Sequence, residues 1–309
     1  LCIRCVGVHA ELPQQAATCD PAVRGRRTRR RLRATARAEE GCVPRPAGRR
    51  RQPRRCRGTI GAAEVAKAPA DGYTLLYTIE ALALAPHLYR KLGFDPERDF
   101  APISLLLSVP LTYLVHPSVP ANSPRELAAL AKQRPGQLST GSGGTGSAAH
   151  LGLEMFKSMA GVDITHIPYK GAAPAMTDFV AGQTQVFTVS TSMAAPQVKA
   201  GKAKILVVAA PKRAANLPDV PTTAEAGFPG LEITVWMGLL APAGARQSIV
   251  DQLHGIAVKA VNDPVNAKRY TEQGLDIVGS TPAAFRRFIA AEAAKFGRIV
   301  SAAGIKVDQ

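Results

Sequence analysis

The chain has 309 residues, long enough for two ordinary domains with cores of their own. Its net charge of +16 is unevenly placed: residues 1–57 hold 16 Arg, no Lys and 4 acidic residues, whereas 58–309 carry 23 Lys and Arg against 19 Asp and Glu. A nearly neutral body excludes a protein that is basic over its whole surface, and no long apolar run marks a signal peptide or a transmembrane helix.

All five cysteines (Cys2, Cys5, Cys19, Cys42, Cys56) also precede Gly58. Arg24 to Arg33 and Arg49 to Arg55 have no apolar period and are expected to be disordered. Such a segment reads as a basic nucleic-acid arm, as an Arg-rich transit peptide, or as GC-rich codons translated out of frame, since arginine without lysine is unusual for a basic tail. Cys2-x-x-Cys5 has no second cysteine pair or histidine cluster to complete a metal site.

From Gly58 the pattern alternates. Gly58 to Lys67 reads as a helix, Tyr73 to Thr78 as a buried parallel strand, and Ala81 to Tyr89 as a helix bent near Pro86. Two strands follow, at Asp99 to Ser108 and Leu111 to Val115. Ser123-Pro-Arg-Glu126 has Pro at the first helical position and Glu at the third, a capping box opening a helix to Arg134. The weakly apolar Gln137 to Thr140 is a strand, and the Gly- and hydroxyl-rich stretch Gly141 to Ser147 runs into a helix ending at Met159. Strands at Asp163 to Tyr169, Gln185 to Ser190 and Lys204 to Ala210 alternate with helices at Ala173 to Ala181 and Met193 to Ala200. Thr222 starts a short helix stopped by Gly227, Glu232 to Ala241 is a strand, and helices close the chain at Gln247 to Asn262, Pro264 to Gln273 and Pro282 to Ala303. Strands alternating with helices predict an α/β fold with mainly parallel sheets.

Chemistry concentrates in the Gly/Ser stretch. Ser142, Thr145 or Ser147 can cap the following helix, whose free N–H groups and positive dipole end suit an anion. No charged residue lies between Gln137 and His150, so dipoles and hydroxyls would hold that anion. Gly141-x-Gly143-x-x-Gly146 also matches a dinucleotide fingerprint, with Asp163 about 20 residues on. Asp163 starts its strand, however, whereas a ribose-binding acid ends one. A nucleotide-dependent α/β enzyme using this loop is the alternative reading. The six histidines lack metal spacing, the body has no cysteine and no Gly-x-Ser-x-Gly elbow, and Lys170 is most simply a surface lysine. His150 is expected to pack or hydrogen-bond locally, and Trp236 to fill the core or a hinge. The balance favours binding over catalysis, with no cofactor and no metal.

Ala66 to Leu76, the Gly/Ser loop, His166-Ile-Pro-Tyr-Lys-Gly-Ala172, Leu217 to Thr222, Ala226-Gly227 and Trp236 to Gly244 together resemble the Bug (TctC-type) extracytoplasmic solute receptors of tripartite tricarboxylate transporters. The likeness covers residues 58–309. It implies a type II periplasmic binding-protein fold, with lobe 1 formed by 58–108 plus 237–309 and lobe 2 by 109–236. The chain would cross between lobes near Leu107–Pro110 and Trp236–Leu239. It implies a periplasmic, non-enzymatic monomer that takes a small carboxylate in the interlobe cleft and delivers it to two membrane subunits, without nucleic acid. By position, Ser142, Thr145, Gly146 and Ser147 match the carboxylate loop. Tyr169, Lys170, Gly171 and Ala172, Ser190 and Thr191, and Thr78 and Glu80 match other cleft-lining loops. Glu80 is unusual beside an anion and suits a ligand that also bears an amino group.

Such receptors begin with a strand and a loop of the type S-K-P-I-x-x-V-V-P-(F/Y)-x-x-G-G, absent from residues 1–57. Read one base later, Arg51-Gln-Pro-Arg-Arg-Cys-Arg57 can give Asp-Asn-Arg-(Ala/Gly)-Gly-Ala-Gly, close to the Asn-Arg-Pro-Gly-Ala-Gly-Gly that precedes the match in this family. Residues 1–57 are therefore expected to be an out-of-frame translation, and a chain with them in place to be unstable or to bind poorly. Resequencing the gene should find a shift that is restored near Arg57; an intact frame encoding these arginines would end that expectation.

Overall fold

The computed structural model describes residues 58–305, and the expectations for segment 1–57 lie outside the described residues. The described chain opens with α1 (Thr59–Val65), β1 (Leu76–Ile79) and α2 (Ala81–Leu88). Next come β2 (Phe100–Val115), α3 (Pro124–Gln133), β3 (Ser139–Ser142) and α4 (Ala148–Ala160). β4 (Thr165–Pro168), α5 (Ala172–Val180), β5 (Val186–Ser190), α6 (Thr191–Lys199) and β6 (Lys204–Val208) continue the alternation. β7 (Thr234–Pro242), α7 (Gln247–Val261), α8 (Pro264–Glu272), β8 (Asp276–Ile277) and α9 (Pro282–Ala302) complete it.

β2 organises the sheets. The two strands expected at 99–108 and 111–115 are one strand of 16 residues, buried along almost its whole length. Its N-terminal part, through Pro110, pairs with β7, and Leu107 and Ser108 also pair with β8. From Leu111 onward it pairs instead with β5, and from Thr112 with β6 on its other side. Both prolines fall where the missing N–H is tolerated: Pro102 beside a register shift, and Pro110 where the partners change. β1 extends the first sheet along β7, and β3 and β4 extend the second beyond β5.

The expectation of mainly parallel sheets is corrected. Among the described strands only β3–β4 and β3–β5 are parallel; β2 runs against all its neighbours, and β1, expected parallel, is antiparallel to β7. Alternating strands and helices reveal that crossovers exist, but not which strands end up adjacent. Thr222 to Gly227 forms a turn rather than a helix. Its capping bonds are made, Glu225 N to Thr222 Oγ1 and Thr222 N to Glu225 Oε2, but the chain reverses at once through Phe228 N to Thr223 O. At α3 the capping box forms as read: Ser123 Oγ accepts from Glu126 N, while the Glu126 carboxylate accepts from Asn122 N, one residue before the cap.

α9 carries an apolar stripe, Phe285, Ile289, Phe296 and Val300, all buried. Trp236 on β7 is fully buried and meets Phe285 and Phe288 edge-on, with centroids 5.7 and 5.6 Å apart. Two residues along, Gly238 lets the Phe285 ring lie against the strand: a Cβ there would come within 2.1 Å of Phe285 Cζ. The Gly238→Ala variant should therefore lose about 1–3 kcal/mol from overpacking, read as a lower urea midpoint at unchanged slope; an unchanged midpoint would show that α9 yields freely.

Candidate anion site

β3, β4 and β5 run in the same direction, so their C-terminal ends share one edge of the second sheet. A helix starts from each end: α4 after β3, α5 after β4, and α6 directly after β5. Three helix N-termini, each with unpaired N–H groups and a partial positive charge, therefore gather along one sheet edge. That edge is where open α/β sheets bind ligands.

The loop between β3 and α4 is tied down from within. Ser142 is buried, and its Oγ lies 3.1 Å from both Gly144 N and Gly144 O and 2.6 Å from His166 Nε2. Gly146, at φ 72°, turns its N–H onto His150 Nδ1 at 2.9 Å. Ser147 is the N-cap, its Oγ accepting from His150 N, and Thr145 and Ser147 are half-buried. Ala148 and Ala149 begin the helix, where N–H groups have no intrahelical partner. His150 and His166 stack with centroids 3.8 Å apart and planes 10° apart. His150 Nε2 lies 3.7 Å from Glu154, which also meets Lys157 at 3.2 Å.

The neighbouring loop is in contact. Tyr169 N donates to Ser142 O at 3.0 Å, and a Cβ on Gly143 would lie 3.5 Å from Ala172 N. The Tyr169 ring covers Gly141, and its hydroxyl donates to Asp178 Oδ2 at 2.7 Å. Lys170 is exposed, and Gly171, at φ 130°, is the N-cap of α5.

The sequence-derived residues thus fall into groups. Ser142 through Ser147 and Tyr169 through Ala172 come together. Ser190 ends the adjacent strand with its Oγ 2.9 Å from Ser192 Oγ, whereas Thr191 is buried and donates to Gly274 O at 3.3 Å. Thr78 and the buried Glu80 belong to the other sheet, at the end of β1. The histidine stack and the Tyr169–Asp178 bond went unread in the sequence: each depends on strand register or helix phase, here Thr140 opposite His166. The dinucleotide reading gains nothing, since Asp163 precedes β4 and pairs at 3.8 Å with Lys157. Among the described residues no cluster of three metal-ligating side chains occurs.

Residues 54–305 match the family described as "Tripartite tricarboxylate transporter family receptor". Protein BugT of Bordetella pertussis is 31% identical over 252 residues, spanning 81% of this chain and 77% of that protein. Rpa4515 of Rhodopseudomonas palustris, solved with adipate, superposes with a TM-score of 0.74 at 35% identity, covering 81% of this chain and 84% of that one. MatC (Rpa3494) from the same organism, solved with bound malate, gives 0.69 at 30% identity over 79% and 85%.

The Asp178 bond raises the Tyr169 phenol above its usual value, with burial and the carboxylate's charge adding to the effect. The native state therefore holds this proton longer than the unfolded chain, so stability falls as pH rises through the phenol range. Removing the carboxylate by Asp178→Ala should bring the ionisation back down toward 10, read from tyrosinate absorbance; an unshifted titration would show that the bond does not persist in solution.

Proposed function

Because the chain belongs to the family of tripartite tricarboxylate transporter receptors, we propose that it is a periplasmic receptor that captures a small organic carboxylate and hands it to two membrane subunits. The observation that carries this reading is the convergence of three helix N-termini on the edge formed by β3, β4 and β5. Each would contribute roughly 0.3–1 kcal/mol toward an anion at an exposed site, and more where water is excluded. Thr145, Gly146, Ser147 and the N–H groups of Ala148 and Ala149 form the carboxylate seat, and Ser142 holds that seat in shape. Tyr169, Lys170, Gly171 and Ala172 form its flank, with Ser190 and Thr191 at the next strand end. The structural relatives bound to adipate and malate hold small dicarboxylates, which supports the same ligand class here.

The two sheets are read as two lobes, 58–108 with 237–309 and 109–236, joined by β2 and β7 and closing on the ligand by hinge motion. Thr78 and Glu80, on the first sheet, would meet the ligand's far end. No described helix is long and apolar enough to cross a membrane.

Thermal-shift screening of the full chain, in the frame that resequencing establishes, tests this reading with adipate, malate, aspartate, benzoate and NAD. A carboxylate at about a hundredfold excess over its Kd should add about 2.7 kcal/mol of stability. Stabilisation by NAD with none by any carboxylate would overturn the proposal. Ser147→Ala should lower the melting point by the loss of about 1 kcal/mol of capping and weaken carboxylate binding as well. A lower melting point with unchanged affinity would remove Ser147 from the seat.

A further inference from the structure

The loop that forms the seat has an unusual internal arrangement. Of its backbone donors, Ser147 N–H closes onto Gly144 O, and Gly144 N–H and Gly146 N–H are turned inward onto side chains, the first to Ser142 Oγ and the second to His150 Nδ1. Each of these acceptors is tied to one ring of the histidine stack: His166 reaches Ser142 Oγ at 2.6 Å, and His150 is itself the acceptor for Gly146. The rings lie face to face, so neither can rotate without displacing the other.

The Gly146 contact fixes the tautomer of His150. His150 Nδ1 accepts from Gly146, so it carries no proton, and its ring proton sits on Nε2, facing Glu154. The Ser142 hydroxyl has a single proton. Donated to Gly144 O, it leaves Oγ to accept from Gly144 N–H and from a proton on His166 Nε2. Fixing these two N–H groups inward sets the backbone path of Thr145, which lies between them, and of Ser147, whose own N–H closes onto Gly144 O.

We propose that His150 and His166 are positioning residues for ligand capture. They do not touch the carboxylate; they lock the Gly144 and Gly146 amides inward and so hold Thr145 N–H and the first N–H groups of α4 in their binding arrangement. This inference rests on the reading of the loop as the carboxylate seat.

The two histidines act through different ring nitrogens, which yields a crossed substitution test. An Asn amide oxygen occupies the place of a histidine Nδ1, whereas a Gln amide extends to the place of Nε2. At position 150, Asn keeps the acceptor for Gly146 and Gln does not; at position 166, Gln keeps the contact to Ser142 and Asn does not. Calorimetric titration of the full chain, again in the established frame, would use adipate or malate, whichever stabilises the parent more. His150→Asn and His166→Gln should bind within about threefold of the parent, and His150→Gln and His166→Asn about tenfold more weakly, the scale of one lost hydrogen bond. Melting points of all four variants locate any loss of fold, and position 150 alone completes the test, because there the smaller side chain is the one expected to bind more tightly.

A role confined to filling space would follow side-chain volume and give the same order at both positions; that result overturns the inference while the receptor reading stands. Equal affinity for all four variants overturns it as well. A folded parent that binds neither carboxylate overturns both readings together.

Discussion

Everything in the described structure depends on β2 being shared. Sixteen residues with almost no polar side chain in contact with water can be buried on both faces only if layers cover each end. One sheet takes Phe100 to Pro110 and the other takes Leu111 to Val115, so neither half has a complete core without the other strand partners. Pro110 marks the exchange because it has no N–H to offer either sheet. β7 begins opposite it, at Thr234, after Leu111 N donates to Ile233 O. β2 therefore crosses the boundary as one unbroken strand, with β7 starting beside it at that point.

The second sheet brings the C-terminal ends of its parallel strands to one edge. Parallel pairing requires the chain to return to the same end of the sheet before each new strand, so every following helix starts on that edge. β3, β4 and β5 each obey this, and the short segments between strand and helix leave little freedom in where the helices begin. Ser147 as cap, Gly171 as a left-handed N-cap and Ser190 at the third start are consistent local choices.

What the sequence made legible follows from which forces are local. Helix starts were readable where a cap and its recipient amide lie within three residues, as at Ser123 and Ser147. The Gly/Ser loop was readable for the same reason. Long-range pairing was not: β1 runs antiparallel to a strand more than 150 residues later, and nothing in Leu76 to Ile79 encodes that direction. Nor could the expected break at Ser108 to Leu111 be resolved, since prolines interrupt a helix but sit in a strand wherever a donor is not needed. The residues gathered at the seat could be named singly, yet the meeting of His150 with His166 needed both the phase of α4 and the register of β4 on β3.

The proposed anion seat is built from dipoles and hydroxyls, which would explain why so much structure supports so small a loop. A lysine about 4 Å from a carboxylate would be worth about 4 kcal/mol at an effective dielectric of 20, and it would tolerate small errors of position because a point charge acts in all directions. Helix ends and single amides act only along their own axes, so their contribution disappears when the loop shifts. Of the cationic residues near the proposed seat, Lys157 faces Glu154 and Asp163 further along the chain, and Lys170, on the flank, is exposed. Binding by directed dipoles would demand a rigid loop, and the Ser142 and His150 bonds, braced by the stacked rings, tie this loop down from side chains that need not touch a ligand.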